Sequence, residues 1–235
     1  MIETTQGINR SPKKSFSTVW GYIAPDVDIF PIIYILFIYG FIYILPFGRD
    51  IIGISWFDWC RSEDGPLEWI QFITFILASI YAFKIIYFKK ANLLSAETIG
   101  WLALAIICLF IAGEEISWGE RIINIGLDSL REINKQGESN IHNIRFIHNY
   151  LLDPAFEISC LIFGWIGWRF LPNFTVLPKK RYSLYFLFVA LFFMYFDISY
   201  ASTVSQIRND QEIFETLMSI GLFLHCKNNY LKYNI

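Results

Sequence analysis

Residues 96–118, AETIGWLALAIICLFIAGEEISW, carry one charge near the start (Glu97) and then none until Glu114 and Glu115 arrive together. An α-helix rises about 1.5 Å per residue, so roughly 20 apolar residues span a hydrocarbon layer of about 30 Å. Similar runs lie at about 29–47, 66–88, 154–172 and 182–200, with a shorter, acid-led one at 210–226. They are too long for strands. The expected fold is therefore all-α: a polytopic transmembrane helical bundle of about six spans, forming one domain over residues 1–235. Composition agrees, because charged residues are 17% of the chain, where a soluble domain carries about a quarter.

Other classes are excluded or disfavoured on the same grounds. A net charge of −2 points to no nucleic-acid partner. The first twenty residues lack the apolar core of a signal peptide, so no cleavage is expected. Cys60, Cys108, Cys160 and Cys226 are scattered without metal-type spacing, and no disulfide framework is expected. Cys108 and Cys160 fall inside apolar runs and read as small packing residues.

Lysine and arginine in short loops set the orientation. Arg10, Lys13 and Lys14 precede the first span, Lys89 and Lys90 follow the second, Lys179, Lys180 and Arg181 follow the fourth, and Lys227 and Lys232 follow the last. Six spans put all four groups on the cytoplasmic side, with both termini. The acids and histidines then gather on the outer side. Asp64 and Glu68 open the second span, and Glu114, Glu115, Trp118 and Arg121 close the third. The loop 119–153 holds Asn134, Gln136, Glu138, Asn140, His142 and His148. Asp153, Pro154 and Glu157 open the fourth span, with Asp153 as N-cap and Pro154 at the first helical position. Asp197 ends the fifth, and Asp210, Glu212 and Glu215 open the sixth.

A simpler account covers part of this set. Acids at a helix start favour the positive end of its dipole and need no function, which suffices for Asp64, Glu68, Glu157 and Glu212. Glu114, Glu115 and Asp197 sit at helix C-termini, where negative charge is disfavoured. A carboxylate at that depth needs a partner or a water-filled cavity. Continuing the helix puts Glu114, Trp118 and Arg121 on one stripe, so Arg121 is the expected partner of Glu114. In the loop, Asn134, Gln136, Glu138, Asn140 and His142 alternate as on an extended segment, while Asn134, Glu138 and His142 also fit helical spacing. His225, near the cytoplasmic end of the last span, is read as unrelated.

GEEISWGERI (113–122) followed by NKQGESNIHN (134–143) resembles the paired signature, GEEISWG(E/Q)R and NxQxExNxHN, of an uncharacterised bacterial multi-pass membrane family. That resemblance implies a helical protein of the bacterial inner membrane. The double glutamate with a downstream arginine and histidines is also similar in outline to the CAAX-protease and bacteriocin-processing intramembrane peptidases. It implies Glu114 and Glu115 as a catalytic pair, Arg121 as charge partner, and His142 or His148 as the water or oxyanion partner. The match departs from that pattern in two ways. Arg121 stands six residues after Glu115 where the family has four, with Gly at 119, and the histidines lie in a loop.

Three functions follow as expectations. The first is a membrane-embedded hydrolase or transferase at the outer interface, acting on a lipid, a lipid-linked group or a membrane-surface peptide. One glutamate serves as general base, and His142, His148 and Glu115 are the candidate ligands of a divalent metal. Asp64, Glu68, Trp118, Asn134, Gln136, Glu138, Asn140, Asp197, Glu212 and Glu215 would contact substrate or support the site. The second is a non-catalytic scaffold or partner subunit. The third is an ion-coupled carrier, which lacks the midplane acids and broken helices such carriers use.

Overall fold

The computed structural model describes residues 17–18, 21–22, 29–38, 40, 53–60, 65–89, 94–119, 153–199 and 210–233. Most of these are helical; the rest are turns, chiefly residues 171–179, and one two-residue antiparallel pair, β1 (Ser17–Thr18) with β2 (Gly21–Tyr22). The helices are α1 (Phe30–Ile35), α2 (Ile54–Cys60), α3 (Pro66–Lys89), α4 (Ala96–Glu115), α5 (Asp153–Leu161), α6 (Gly167–Phe170), α7 (Ser183–Ser199) and α8 (Gln211–Tyr233).

Two of them, α3 and α4, are long and apolar enough to cross a membrane. Of the run 29–47, residues 29–38 and 40 fall within the described residues. Two boundaries differ from those expected. The third apolar run stops being α-helical at Glu115, three residues early, and becomes a 3₁₀ turn over Ser117–Gly119. The last helix runs to Tyr233, beyond Cys226. Its polar final turns hold because Tyr230 packs on Tyr81, with ring centroids 5.3 Å apart, and on Phe88 at 5.7 Å. The short α2 was not anticipated; Gly53, at φ 84°, turns the chain into it.

Side-chain pairs fix how the helices run. Ser79 Oγ donates to the Ala105 carbonyl at 2.8 Å, and Lys89 pairs with Glu97, so α3 and α4 are antiparallel. Gln71 meets Glu212 and Thr74 meets Ser219, so α3 and α8 are parallel. Phe192 stacks on Phe214 with centroids 3.9 Å apart, while Tyr182 reaches Leu224, which makes α7 and α8 antiparallel. Phe156 against Phe193 and Phe163 against Phe186 set α5 antiparallel to α7. The buried residues of α3 and α4 include Ala78, Ala82, Ala105, Cys108 and Ala112, small side chains that let helix backbones approach.

Between α5 and α6 the chain widens into one turn of π-helix, Ile162–Ile166. Such a turn leaves a carbonyl without its usual partner. Here the Gly164 oxygen accepts the Trp168 indole N–H at 2.7 Å and the Ser183 hydroxyl of α7. The bulge thus becomes a hydrogen-bonded junction between neighbouring helices.

Candidate functional site

The alternating helix directions collect one set of termini at each end of the bundle. At the acidic end lie the starts of α3 (Glu68), α5 (Glu157) and α8 (Asp210, Glu212, Glu215) and the ends of α4 (Glu114, Glu115) and α7, whose last turn contains Asp197. At the basic end lie Lys89, Lys179, Lys180, Arg181 and Lys232.

Glu114 is the most enclosed member of its motif, 4% exposed. Its Oε1 accepts the indole N–H of Trp118. That contact does not come from a continuous helical stripe, as spacing suggested. The helix ends first, and Ser117 (φ 46°) and Trp118 (φ 55°) both adopt left-handed backbone. Two such non-glycine residues in a row cost about 1–2 kcal/mol each. The left-handed pair hooks the chain back so that the indole lies over the last turn of α4. A Cβ on Gly113 would stand 2.8 Å from that ring, and Phe110 meets it edge-on with centroids 5.5 Å apart. Glycine at 113, carboxylate at 114 and tryptophan at 118 are therefore one unit: space, acceptor and donor. Backbone strain of this kind clusters at functional sites.

Across the same end, Gln71 is completely buried and donates through Nε2 to Glu212 Oε2 at 2.8 Å. Thr74 and Ser219 share a 2.8 Å hydrogen bond about one turn deeper, and Tyr34 of α1 donates to the Ile213 carbonyl at 3.0 Å. Cys160 of α5 approaches Met218 at 3.7 Å and lies within electrostatic reach of Glu157 and Glu215. None of Glu68, Glu114, Glu115, Glu157, Asp210, Glu212 and Glu215 stands without a partner. Acceptors and donors from α1, α3, α4, α5 and α8 thus line one end of the bundle.

Arg121, Asp64, Asn134, Gln136, Glu138, Asn140, His142 and His148 lie outside the described residues, so of the candidate metal set only Glu115 is described. Among the described residues no three His, Cys, Asp or Glu side chains form a metal-holding group. Spacing missed Gln71, although a glutamine inside an apolar run signals a buried polar contact.

The basic end is more ordered than its sequence suggests. His225, set aside on sequence grounds, is completely buried and central. Its Nε2 lies 3.0 Å from the Val176 carbonyl, and its Nδ1 lies 3.1 Å from the Asn229 side-chain nitrogen. A carbonyl only accepts and an amide nitrogen only donates, so the ring is the neutral Nε2–H tautomer. It stacks on Trp101 with centroids 5.5 Å apart, and Trp101 in turn donates to Thr175 at 3.2 Å. Thr175 donates to Glu97, which is paired with Lys89. This chain of bonds clamps the segment 171–180 onto α4 and α8. We expect His225→Phe to keep the stack on Trp101 and strand the Val176 carbonyl and one Asn229 N–H. The loss should be about 2–4 kcal/mol, read as a lowered unfolding midpoint; an unchanged midpoint would contradict the clamp.

Compared with protein-family models, with curated proteins and with solved structures, the chain matches none.

Proposed function

We propose that the chain is an integral membrane protein of about six spans in a bacterial inner membrane, with both termini cytoplasmic. Its acidic end is a hydrolase or transferase site at the extracytoplasmic interface, acting on a lipid, a lipid-linked group or a membrane-surface peptide. The membrane part is supported by an inverted distribution of side chains. Ile73 and Ile106 are 52% and 54% exposed, as are their apolar neighbours along α3 and α4, whereas Gln71, Ser219 and His225 are buried completely. In water that arrangement wastes apolar surface and buries polar groups; in hydrocarbon both tendencies reverse. Two helices of spanning length and apolarity agree with it.

The observation that carries the catalytic reading is Glu114, a carboxylate enclosed at a helix C-terminus and held by an indole on a strained backbone. Its neighbour Glu115 is half-buried rather than enclosed. In this reading the indole holds Glu114 in place, and Glu115 takes the proton from water as its oxygen attacks an ester, phosphoester or amide centre; the bond to the leaving oxygen or nitrogen then breaks and Glu115 returns the proton to that atom. Arg121 balances the paired carboxylates, and His142 or His148 stabilises the negative charge that develops on the substrate. The expected residue set otherwise stands as in the sequence reading.

The test compares, by mass spectrometry, lipids and peptides of membranes containing the wild-type chain with those containing Glu114→Gln/Glu115→Gln. A species that accumulates only with the variant would be the substrate. Identical profiles from equally abundant, folded proteins would remove the catalytic reading and leave a scaffold.

A further inference from the structure

We propose that the basic end holds an anion-binding site, formed by Lys179, Arg181 and Lys232, for the phosphate of an anionic lipid headgroup. The site rests on the membrane reading above but not on the catalytic one. Three positive side chains belong to two parts of the chain that are bonded to each other: Lys179 and Arg181 to the segment between α6 and α7, and Lys232 to the last turn of α8. The two parts are fastened on both sides of the lysine and arginine. Before them, the Val176 carbonyl is bound by His225 at 3.0 Å. After them, the Tyr182 hydroxyl accepts from Asn228 at 2.7 Å. Lys232 is aimed from α8 by its own bond to Asn229 Oδ1 at 3.1 Å.

Like charges held together in this way repel. Partial burial, and then Lys179 and Arg181, make the Lys232 ammonium less basic than an ordinary lysine. The charged groups that act on Lys232 are both cations, Lys179 and Arg181, and Lys89 is paired with Glu97. The Arg181 Nε is buried with no acceptor. Arg181 and Lys180 also lie over the rings of Tyr182 and Trp168, at 5.7 and 5.5 Å from their centroids. Tyrosine and tryptophan beside cations are the side chains of a headgroup layer. An anion with several acceptor oxygens answers both the repulsion and the unsatisfied guanidinium, and basic pockets on the cytoplasmic side of helical membrane proteins take phosphate headgroups.

The experiment measures thermal stability of the purified full chain in neutral detergent, titrated with phosphatidylglycerol, with phosphatidylcholine and with inorganic phosphate. Phosphatidylglycerol is expected to raise the midpoint by several degrees and phosphatidylcholine to leave it unchanged. Lys179→Gln/Arg181→Gln/Lys232→Gln should weaken the phosphatidylglycerol response at least tenfold in apparent affinity. The charge-preserving Lys179→Arg/Arg181→Lys/Lys232→Arg should retain it, which guards against mere misfolding. Lys227→Gln, outside the cluster, should behave as wild type. An equal response to inorganic phosphate would overturn the lipid assignment. A wild-type response in the Gln variant, or none in the wild type, would overturn the site. Release of the chain from membranes by alkaline washing without detergent would instead overturn the membrane reading.

Discussion

Gly221→Leu is expected to yield no monodisperse folded protein, while Gly221→Ala yields a protein destabilised by about 1–3 kcal/mol. The reason is a close crossing of α7 and α8. A Cβ at 221 would stand 2.6 Å from the Tyr185 Cβ and 3.0 Å from its Cγ. Tyr185 cannot retreat, because it is completely buried and its ring stacks against Phe30 of α1 with centroids 6.2 Å apart. Relief therefore needs the helices to separate, which would also pull apart the stacked Phe192 and Phe214. Gly40→Ala is the matched control, since a Cβ there meets nothing within 4 Å. Size-exclusion profiles and unfolding midpoints in detergent read the series. A Gly221→Leu protein as stable as wild type would contradict the packing described for α7 and α8.

Glu115→Gln, which removes the general base, should lower turnover of the accumulating species by about 10²-fold or more, and Glu114→Gln should lower it as well, with the unfolding midpoint little changed. The side-chain oxygen of glutamine still accepts the Trp118 N–H, so the hook that closes α4 survives. What disappears is the negative charge beside Glu115. A purely structural Glu114 predicts instead that turnover per folded molecule is unchanged, since glutamine still holds Trp118. Gly113→Val perturbs the same unit through space instead of charge. Its Cβ would meet the indole at 2.8 Å, so it should lose the Trp118 contact and stability together.

The helices were legible because long apolar runs leave few alternatives, and α3, α4 and α7 begin within a residue of where those runs begin. The clustering of acids at one end was legible too, since alternating spans dictate which termini share a side. What sequence could not convey was contact across long separations. Gln71 and Glu212 are 141 residues apart, and nothing local marks them as partners. His225 looked incidental because its partners Val176, Trp101 and Asn229 come from three segments. Glu114 and Trp118 were placed on one helical face with Arg121 as the expected partner of Glu114, and their contact arises from a different geometry. Spacing by four implies a continuous helix, whereas Ser117 and Trp118 reverse the chain with left-handed backbone that side-chain periodicity does not encode. The π-turn at 162–166 was hidden in the same way, since its stabilising hydroxyl, Ser183, lies on the next helix.

Sidedness of the two bundle ends tests the central claim most directly. In a chain whose Cys60, Cys108, Cys160 and Cys226 are replaced by serine or alanine, a single cysteine is placed at Ser139 or at Tyr233. Intact cells are then treated with a membrane-impermeant maleimide. The account predicts labelling of Ser139→Cys in intact cells and of Tyr233→Cys only after permeabilisation. Labelling of Tyr233→Cys from outside, with Ser139→Cys protected until the membrane is opened, would place the acidic end in the cytoplasm and contradict it.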